Sequence, residues 1–282
     1  MDKVIGKHLK KLSRQEDKLL EQPGGTFMKP LTDKVEDKIP EELYNKLQQA
    51  FYIGFKTVFE KGNGIIEKTY DRDKLMLDHE VYDASFEKIN KKKSLKGINK
   101  LAGKGNLVNM GISAVEGTGL GLLGIGLPDI PIFIGVVLKS IYEISLSYGY
   151  DYREEQEQYF ILKLIEAALV SDEQKQEKNF AMDKLIDYLV AEEPLGYDIE
   201  MQMRQTADCM AADMVCIKFL QGLPLVGAIG GPANVIYCKK ISDYAKVKYQ
   251  KRYLLEKQKR VEQNEQIMQE KARQYPVLGR TE

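Results

Sequence analysis

Residues 117 to 133 read GTGLGLLGIGLPDIPIF, and this stretch decides the fold of the chain. Five glycines and two prolines interrupt a run in which Asp129 carries the only charge. A run of this composition is compatible with a phosphate-binding loop, a membrane hairpin, or the closely packed middle of a helical protein. The residues around it bear on each of these three interpretations.

The stretch belongs to the first of two apolar segments. Residues 106 to 138 contain two charged residues, Glu116 and Asp129, and residues 219 to 238 contain none. Both segments include the tripeptide Gly-Leu-Pro. Each also has a pair of glycines four residues apart, which are Gly117 and Gly121 in the first and Gly227 and Gly231 in the second. Because glycines at this spacing share one helix face and let another backbone approach closely, we expect the two segments to pack together.

Both segments are long enough to enter a membrane. A transmembrane helix needs about 20 apolar residues, and each segment reaches that length. Prolines at positions 128, 131, 224 and 232 argue against straight spanning helices. A hairpin that dips into one leaflet and a glycine-packed soluble core both stay open, since hydropathy does not separate a buried hairpin from an inserted one.

The charge pattern adds to the membrane hypothesis. The 42 basic and 42 acidic residues balance, and we assign no nucleic-acid partner. Residues 88 to 104, however, contain seven lysines and no acid, and residues 239 to 260 contain nine bases and two acids. Such blocks on either side of the apolar segments would lie at anionic headgroups on the cytoplasmic face. The lysines predicted to contact the membrane surface are Lys91, Lys92, Lys93, Lys96, Lys100 and Lys104.

Apolar residues recur at helical spacing along most of the chain, whereas no stretch alternates convincingly with period two. We therefore predict an all-α, multi-helix bundle with little or no sheet. Residues 1 to 39 are predicted as a polar extension with a short helix, 40 to 255 as the helical domain, and 256 to 282 as a polar helical extension with a tail. The predicted helices begin near residue 40 and then cover residues 73–101, 130–148, 157–170, 180–190, 199–219 and 233–273. In the 180–190 helix the predicted buried face is Phe180, Leu185, Ile186, Leu189 and Val190.

Local signals define the helix after the glycine-rich stretch. Asp129 is predicted to cap its N-terminus, and Pro131 suits its first turn. Gly149 is predicted to end it.

The three cysteines show no CxxC spacing and indicate a reducing compartment, and residues 1 to 20 lack the apolar centre of a signal peptide.

Motifs for chemistry are weak. Residues 119 to 124 match GxGxxG, but Pro128 follows closely and no strand precedes them, so we expect neither nucleotide nor another cofactor there. His79-Glu80-Val-Tyr-Asp83 resembles HExxH with aspartate in place of the second histidine. His79 and Asp83 could share a helix face and hold zinc with Glu80 as base, although no third ligand is evident. The alternative is an exposed polar turn of a helix.

Two longer stretches resemble the EcsC protein family. The first is GTGLGLLGIGLPDIPIFIGVVLKSIYEISLSYGYDYREEQEQYFILKLI, beginning at residue 117. The second is PLVGAIGGPANVIYCKKISDYAKVKYQKRYL, beginning at residue 224. The resemblance covers roughly residues 40 to 255. The positions that match are Gly119, Gly121, Pro128, Asp129, Tyr148, Gly149 and Asp151 in the first stretch, and Gly227, Gly231, Asn234, Ala245 and Arg252 in the second.

The resemblance implies a cellular context for the protein but no chemical reaction. The family takes its name from a bacterial protein encoded beside an ABC transporter and linked to secretion and cell-surface processes. No catalytic residues follow from it, and the matching positions are expected to have structural roles. We therefore expect a non-catalytic accessory protein, peripheral to or hairpin-inserted in the inner face of the bacterial cell membrane, with a membrane-protein partner such as a transporter. The alternatives are a soluble metal-dependent enzyme that uses residues 79 to 83 and a soluble helical binding module.

Overall fold

The computed structural model describes residues 2–21, 41–89, 91–103, 130–220 and 232–274. Within these ranges the chain forms helices and turns without a strand, which confirms the all-α prediction. The helices are α1 (Lys3–Glu21), α2 (Glu41–Thr57), α3 (Asn63–Glu67), α4 (Arg72–Lys88), α5 (91–103), α6 (Ile130–Ser147), α7 (Glu155–Leu169), α8 (Asp172–Ala191), α9 (Ile199–Leu220) and α10 (Pro232–Gln274). The predictions for Gly117, Gly119, Gly121, Pro128, Asp129, Gly227, Gly231 and Lys104 lie outside the described residues.

Helix α6 is the centre of the bundle. Thirteen of its 18 residues are buried, and it contacts α2, α4 and α10. Around this core α7 packs against α8, α9 and α10, while α9 also packs against α2. The first helix, α1, lies on α10 and buries Ile5 and Leu12.

The length and composition of α6 would also allow it to cross a membrane. It is one such helix in the part of the chain that the structure describes, and 72 % of its residues are buried within the fold. Apolar contacts of this extent are typical of a core helix. The described ends of the two apolar segments meet here, because the rings of Phe133 and Tyr237 lie 5.5 Å apart between centroids.

Three local predictions were wrong. The helix predicted over residues 180–190 begins eight residues earlier, since α8 spans Asp172–Ala191. Residues 73 to 101 do not form one helix: α4 ends at Lys88, the backbone of Ile89 leaves the helical region, and α5 begins at residue 91. Phe180 does not lie on the buried face of α8 and is 63 % exposed. The core side of α8 is formed by Met182, Leu185, Ile186 and Leu189, which turns Phe180 toward solvent.

The chain changes its helical geometry at the glycine pair around residue 63. After α2 the chain makes a π-helical turn over Val58–Gly62 and then continues into the short helix α3. A π turn is a common way to absorb an extra residue within a helix, and it redirects the chain here toward α4. Asp71 then begins α4, since its side chain accepts a hydrogen bond from the Lys74 backbone amide at 2.9 Å.

Candidate functional site

A basic groove is the main candidate site in the part of the chain that the structure describes. It lies between α1, α5 and α10 and has a volume of about 1170 Å³. Side chains from all three helices form its walls. The lining residues are Lys7, His8, Lys10, Lys11, Arg14, Gln15, Lys18, Leu19, Lys92, Lys96, Asn99, Tyr148, Asp243, Lys246, Val247 and Gln250.

The lining of the basic groove is strongly positive. It contains seven lysines and one arginine against a single acid, Asp243. That carboxylate is already occupied, because Lys239 and Lys246 both pair with it, the latter at 3.8 Å. The remaining cations have no acid among the lining residues to neutralise them. A concave wall of one charge concentrates the electrostatic field, so the groove is built to attract an anion.

The pKa of His8 reflects the positive charge of the groove. Partial burial lowers the pKa of its imidazole, and the nearby charges of Lys11, Lys7 and Lys92 lower it further. Positive charges disfavour the imidazolium because a second cation must be brought close to them. His8 therefore lies where cations from α1 and α5 converge.

The position of α1, and with it one wall of the groove, depends on buried ion pairs. Glu16 of α1 accepts hydrogen bonds from Lys248 and, at 3.1 Å, from Lys251. Lys248 is fully buried and also reaches Asp183 of α8 at 2.5 Å. Asp2 pairs with Lys91 of α5 at the other end of the helix. These contacts fix α1 against α5 and α10, and through Lys248 they link it to α8, although its surface is mostly polar.

The predicted lysines divide into three groups. Lys92 and Lys96 line the groove. Lys91 is part-buried against Asp2, while Lys93 and Lys100 are exposed elsewhere on α5. Whether any of them touches a membrane stays a prediction. Sequence reasoning missed the α1 wall, although one sequence signal was available: the basic residues Lys7, Lys10, Lys11, Arg14 and Lys18 recur at helical spacing opposite Ile5 and Leu12.

The sequence YGYDYR, residues 148 to 153, joins the groove to the core. The Tyr148 hydroxyl donates to Asn99 Oδ1 at 2.9 Å, and both residues line the groove. Asp151 accepts from Arg72 at 2.7 Å. Tyr152 stacks on Tyr142 with ring centroids 3.8 Å apart. These positions of the family-like motif therefore connect α4, α5 and α6, which agrees with a structural role.

The residues of the metal hypothesis have other contacts. His79 Nδ1 donates to the Ser147 carbonyl at 2.9 Å, and burial lowers the pKa of its imidazole. Asp83 accepts from Tyr253 at 2.7 Å and from Lys257 at 2.8 Å. Burial opposes the charge on Asp83, but these two hydrogen bonds outweigh it and lower the pKa. His79 and Asp83 thus tie α4 to α6 and α10, and no group of three potential metal ligands occurs among the described residues.

A second polar cluster lies between α9 and α10. Asp213 Oδ2, the Tyr237 hydroxyl and Lys240 Nζ are buried, and none has a hydrogen-bond partner in the described part of the chain. Burial raises the pKa of Asp213 to about 6, with the charge of Lys240 acting in the opposite direction. Burial also raises the pKa of the neighbouring Cys209 thiol to about 12, so this cysteine is poorly suited to be a nucleophile.

Because burial raises the pKa of Asp213, we expect the free energy of unfolding of the protein to depend on pH. Burial raises the pKa of this carboxyl to about 6, above the ordinary value for aspartate, so the folded protein holds the proton more tightly than the unfolded chain does. The stability associated with that proton is present below about pH 4 and is lost as the pH rises through about 6. Asp213→Asn should therefore raise the free energy of unfolding at pH 8 by about 2 kcal/mol, with a smaller gain at pH 5.

Urea unfolding of both proteins at pH 5 and pH 8 measures this difference. Asp187→Asn serves as the control, because Asp187 is an exposed acid on α8 and its replacement should change stability by less than about 0.5 kcal/mol. An Asp213→Asn protein that is less stable than the parent at pH 8 would show that the carboxylate has a favourable partner.

The comparisons with known proteins agree with the family resemblance. The family model for the EcsC protein family matches residues 6–254. Protein EcsC of Bacillus subtilis is 26 % identical over 239 residues, which are 82 % of this chain and 87 % of that protein. The uncharacterized protein YdbA of the same bacterium is 26 % identical over 151 residues, 51 % of this chain and 53 % of YdbA. No solved structure matches the chain significantly.

Proposed function

Because the chain belongs to the EcsC protein family, we propose that it is a non-catalytic accessory protein at the inner face of the bacterial cell membrane. In this proposal the basic groove faces the lipid headgroups, and a membrane protein such as a transporter is the partner. The excess of cations lining the groove is the observation that carries the proposal. Each lysine close to an anionic surface contributes about 1 kcal/mol of binding free energy.

The proposal accounts for the arrangement of α1 and α5. Both helices bury apolar residues toward the core, including Leu12 on α1 and Leu95 and Ile98 on α5. Six of their lysines line the groove together, namely Lys7, Lys10, Lys11, Lys18, Lys92 and Lys96. A face of this kind attracts the anionic cytoplasmic leaflet and needs no catalytic group. Insertion of residues 106 to 129 into one leaflet would add a hydrophobic contribution to the same attachment.

Vesicle binding tests the electrostatic part. The protein should sediment with vesicles that contain phosphatidylglycerol and not with vesicles of phosphatidylcholine alone. Binding should weaken between about 0.1 and 1 M salt, as the screening length falls from about 10 Å to about 3 Å. The triple variant Lys7→Gln, Lys10→Gln, Lys18→Gln should lose roughly 100-fold in affinity, since three lysines contribute about 3 kcal/mol.

The control is Lys68→Gln with Lys74→Gln, because both lysines are exposed at or near α4, outside the groove lining. This variant should bind nearly as well as the parent.

Washing bacterial membranes with salt and then with alkaline carbonate separates the modes of attachment: release by salt indicates the groove alone, and retention through both washes indicates insertion. Equal failure to bind either vesicle type overturns the proposal and favours a soluble binding module.

A further inference from the structure

The shape of the basic groove carries more information than its charge. Lysines that only attract a membrane can lie on a flat or convex face. Here cations of α1, Lys92 and Lys96 of α5 and Lys246 of α10 line one groove, and charges from both α1 and α5 act on His8. The groove volume of about 1170 Å³ is large for a single phosphate group and exceeds the upper end of drug-sized pockets.

The charge count also exceeds what one phosphate provides. A phosphodiester carries one negative charge, whereas eight cationic side chains line the groove and only Lys246 is paired with an acid of that lining. An anion with a single charge would leave one wall uncompensated. Two phosphates on one molecule can approach both walls, and the second phosphate binds without a further loss of translational freedom.

Uncharged polar groups also line the groove. Tyr148 donates its hydroxyl hydrogen to Asn99 Oδ1, which fixes the orientation of the amide. The Asn99 amide nitrogen supplies the donors of this side chain, and Asn99 lines the groove. Gln15 and Gln250 add donors and acceptors to the lining. Such groups suit the hydroxyl of a glycerol that joins two phosphates.

We propose that the basic groove is a headgroup site for a lipid with two phosphodiester groups joined by glycerol, and that it prefers this lipid to singly phosphorylated lipids at equal membrane charge. The inference rests on the proposed membrane function and adds the identity of the headgroup. The α1 and α5 walls contact one phosphate each, and Asn99 lies near the linking glycerol.

Vesicles matched for charge test this preference. One set contains cardiolipin and the other contains twice the mole fraction of phosphatidylglycerol, so that the surface charge is the same. The protein should bind the cardiolipin vesicles at least tenfold more tightly. Lys92→Gln with Lys96→Gln removes one wall and should abolish the preference. Lys88→Gln with Lys100→Gln is the matched control, because it removes the same charge from α4 and α5 outside the groove lining and should keep it.

The two histidines provide a direct readout of occupancy. A bound headgroup with two phosphodiester groups offsets the positive charges of Lys7, Lys11 and Lys92 near His8. The charges of Asp243 and Lys246 on α10, which also line the groove, do not change on binding. The pKa of His8 should therefore rise on binding, and affinity should increase as the pH falls through that pKa. His79 lies outside the groove against Ser147 and should titrate unchanged. NMR titration of the imidazole resonances with a glycerol bisphosphate headgroup, and with glycerol phosphate for comparison, measures both.

The outcomes separate this inference from the proposed function. Equal affinity for the two charge-matched vesicles, with an unshifted His8, overturns the headgroup preference and leaves attachment by charge intact. No binding to either vesicle overturns both. Tighter binding of inorganic pyrophosphate or single-stranded RNA than of cardiolipin, with the same shift of His8, assigns the groove to a soluble anion and overturns the lipid proposal.

Discussion

Replacing Gly149 with alanine is expected to lower the free energy of unfolding by about 3 kcal/mol. Gly149 has φ = +87°, a left-handed backbone conformation that costs a residue with a side chain about 1 to 2 kcal/mol. A Cβ atom there would also overlap the His79 imidazole, and overpacking of this kind costs about 1 to 3 kcal/mol. His79 has little freedom to move, because Nδ1 is bonded to the Ser147 carbonyl.

Urea unfolding followed by circular dichroism measures this change. Gly196→Ala is the control, since no described atom lies within 4 Å of its new Cβ and its φ is not positive. It should change stability by no more than about 0.5 kcal/mol. In the double variant Gly149→Ala with His79→Ala the overlap is gone, so the loss should be smaller than the sum of the single losses. Additive losses would show that His79 does not confine position 149.

The left-handed turn at Gly149 also determines where the two flanking tyrosines lie. The left-handed turn at Gly149 ends α6 and sends Tyr148 toward Asn99 and Tyr150 toward Arg252. The Tyr150 backbone amide bonds to the Ser145 carbonyl at 3.0 Å, which completes the end of the helix. The motif that carries the family resemblance is therefore a junction between the core and one side of the basic groove.

Helix periodicity was enough to predict most of the fold. The start of α2 and the bounds of α6, α9 and α10 follow from apolar spacing and from Pro or Gly near the ends, whereas α7 follows from apolar spacing alone. The break between α4 and α5 contains neither residue type, so it left no local signal. The prediction for Phe180 was wrong although helical spacing was against it, because nine residues at 3.6 per turn put Phe180 about 180° from the buried Leu189.

The candidate site was only half predictable. A lysine block marked Lys92 and Lys96, because charge runs are visible in sequence. The opposite wall on α1 depends on Glu16 and Lys248, which are 232 residues apart in the chain and meet only in the fold. Contacts of this separation leave no pattern in a single sequence. In the structure the lysines of this block and the basic residues of α1 line the same groove.

Replacing Arg252 with methionine is expected to lower the free energy of unfolding by about 3 to 5 kcal/mol. Arg252 Nη1 donates to Glu157 at 2.7 Å, and its guanidinium lies 3.9 Å from the centre of the Tyr150 ring. Glu157 is 4 % exposed and keeps only the Tyr249 hydroxyl at 2.6 Å when the arginine is removed. Loss of one partner leaves a buried charge uncompensated, and losses of this size follow from that cause.

Arg204 provides the matched control for this prediction. Its guanidinium also lies over a tyrosine ring, Tyr52 at 4.1 Å, and its Nη2 lies 3.5 Å from Glu200. Both partners are about half exposed, so water replaces the lost contacts and Arg204→Met should cost no more than about 1 kcal/mol. In the double variant Arg252→Met with Glu157→Leu the buried Glu157 carboxylate that lost its partner is gone, and stability should recover above that of Arg252→Met alone. Urea unfolding of the three variants and the parent at pH 7 decides this. A double variant less stable than Arg252→Met alone would mean that Glu157 stabilises the fold through Tyr249 and not through its pair with Arg252.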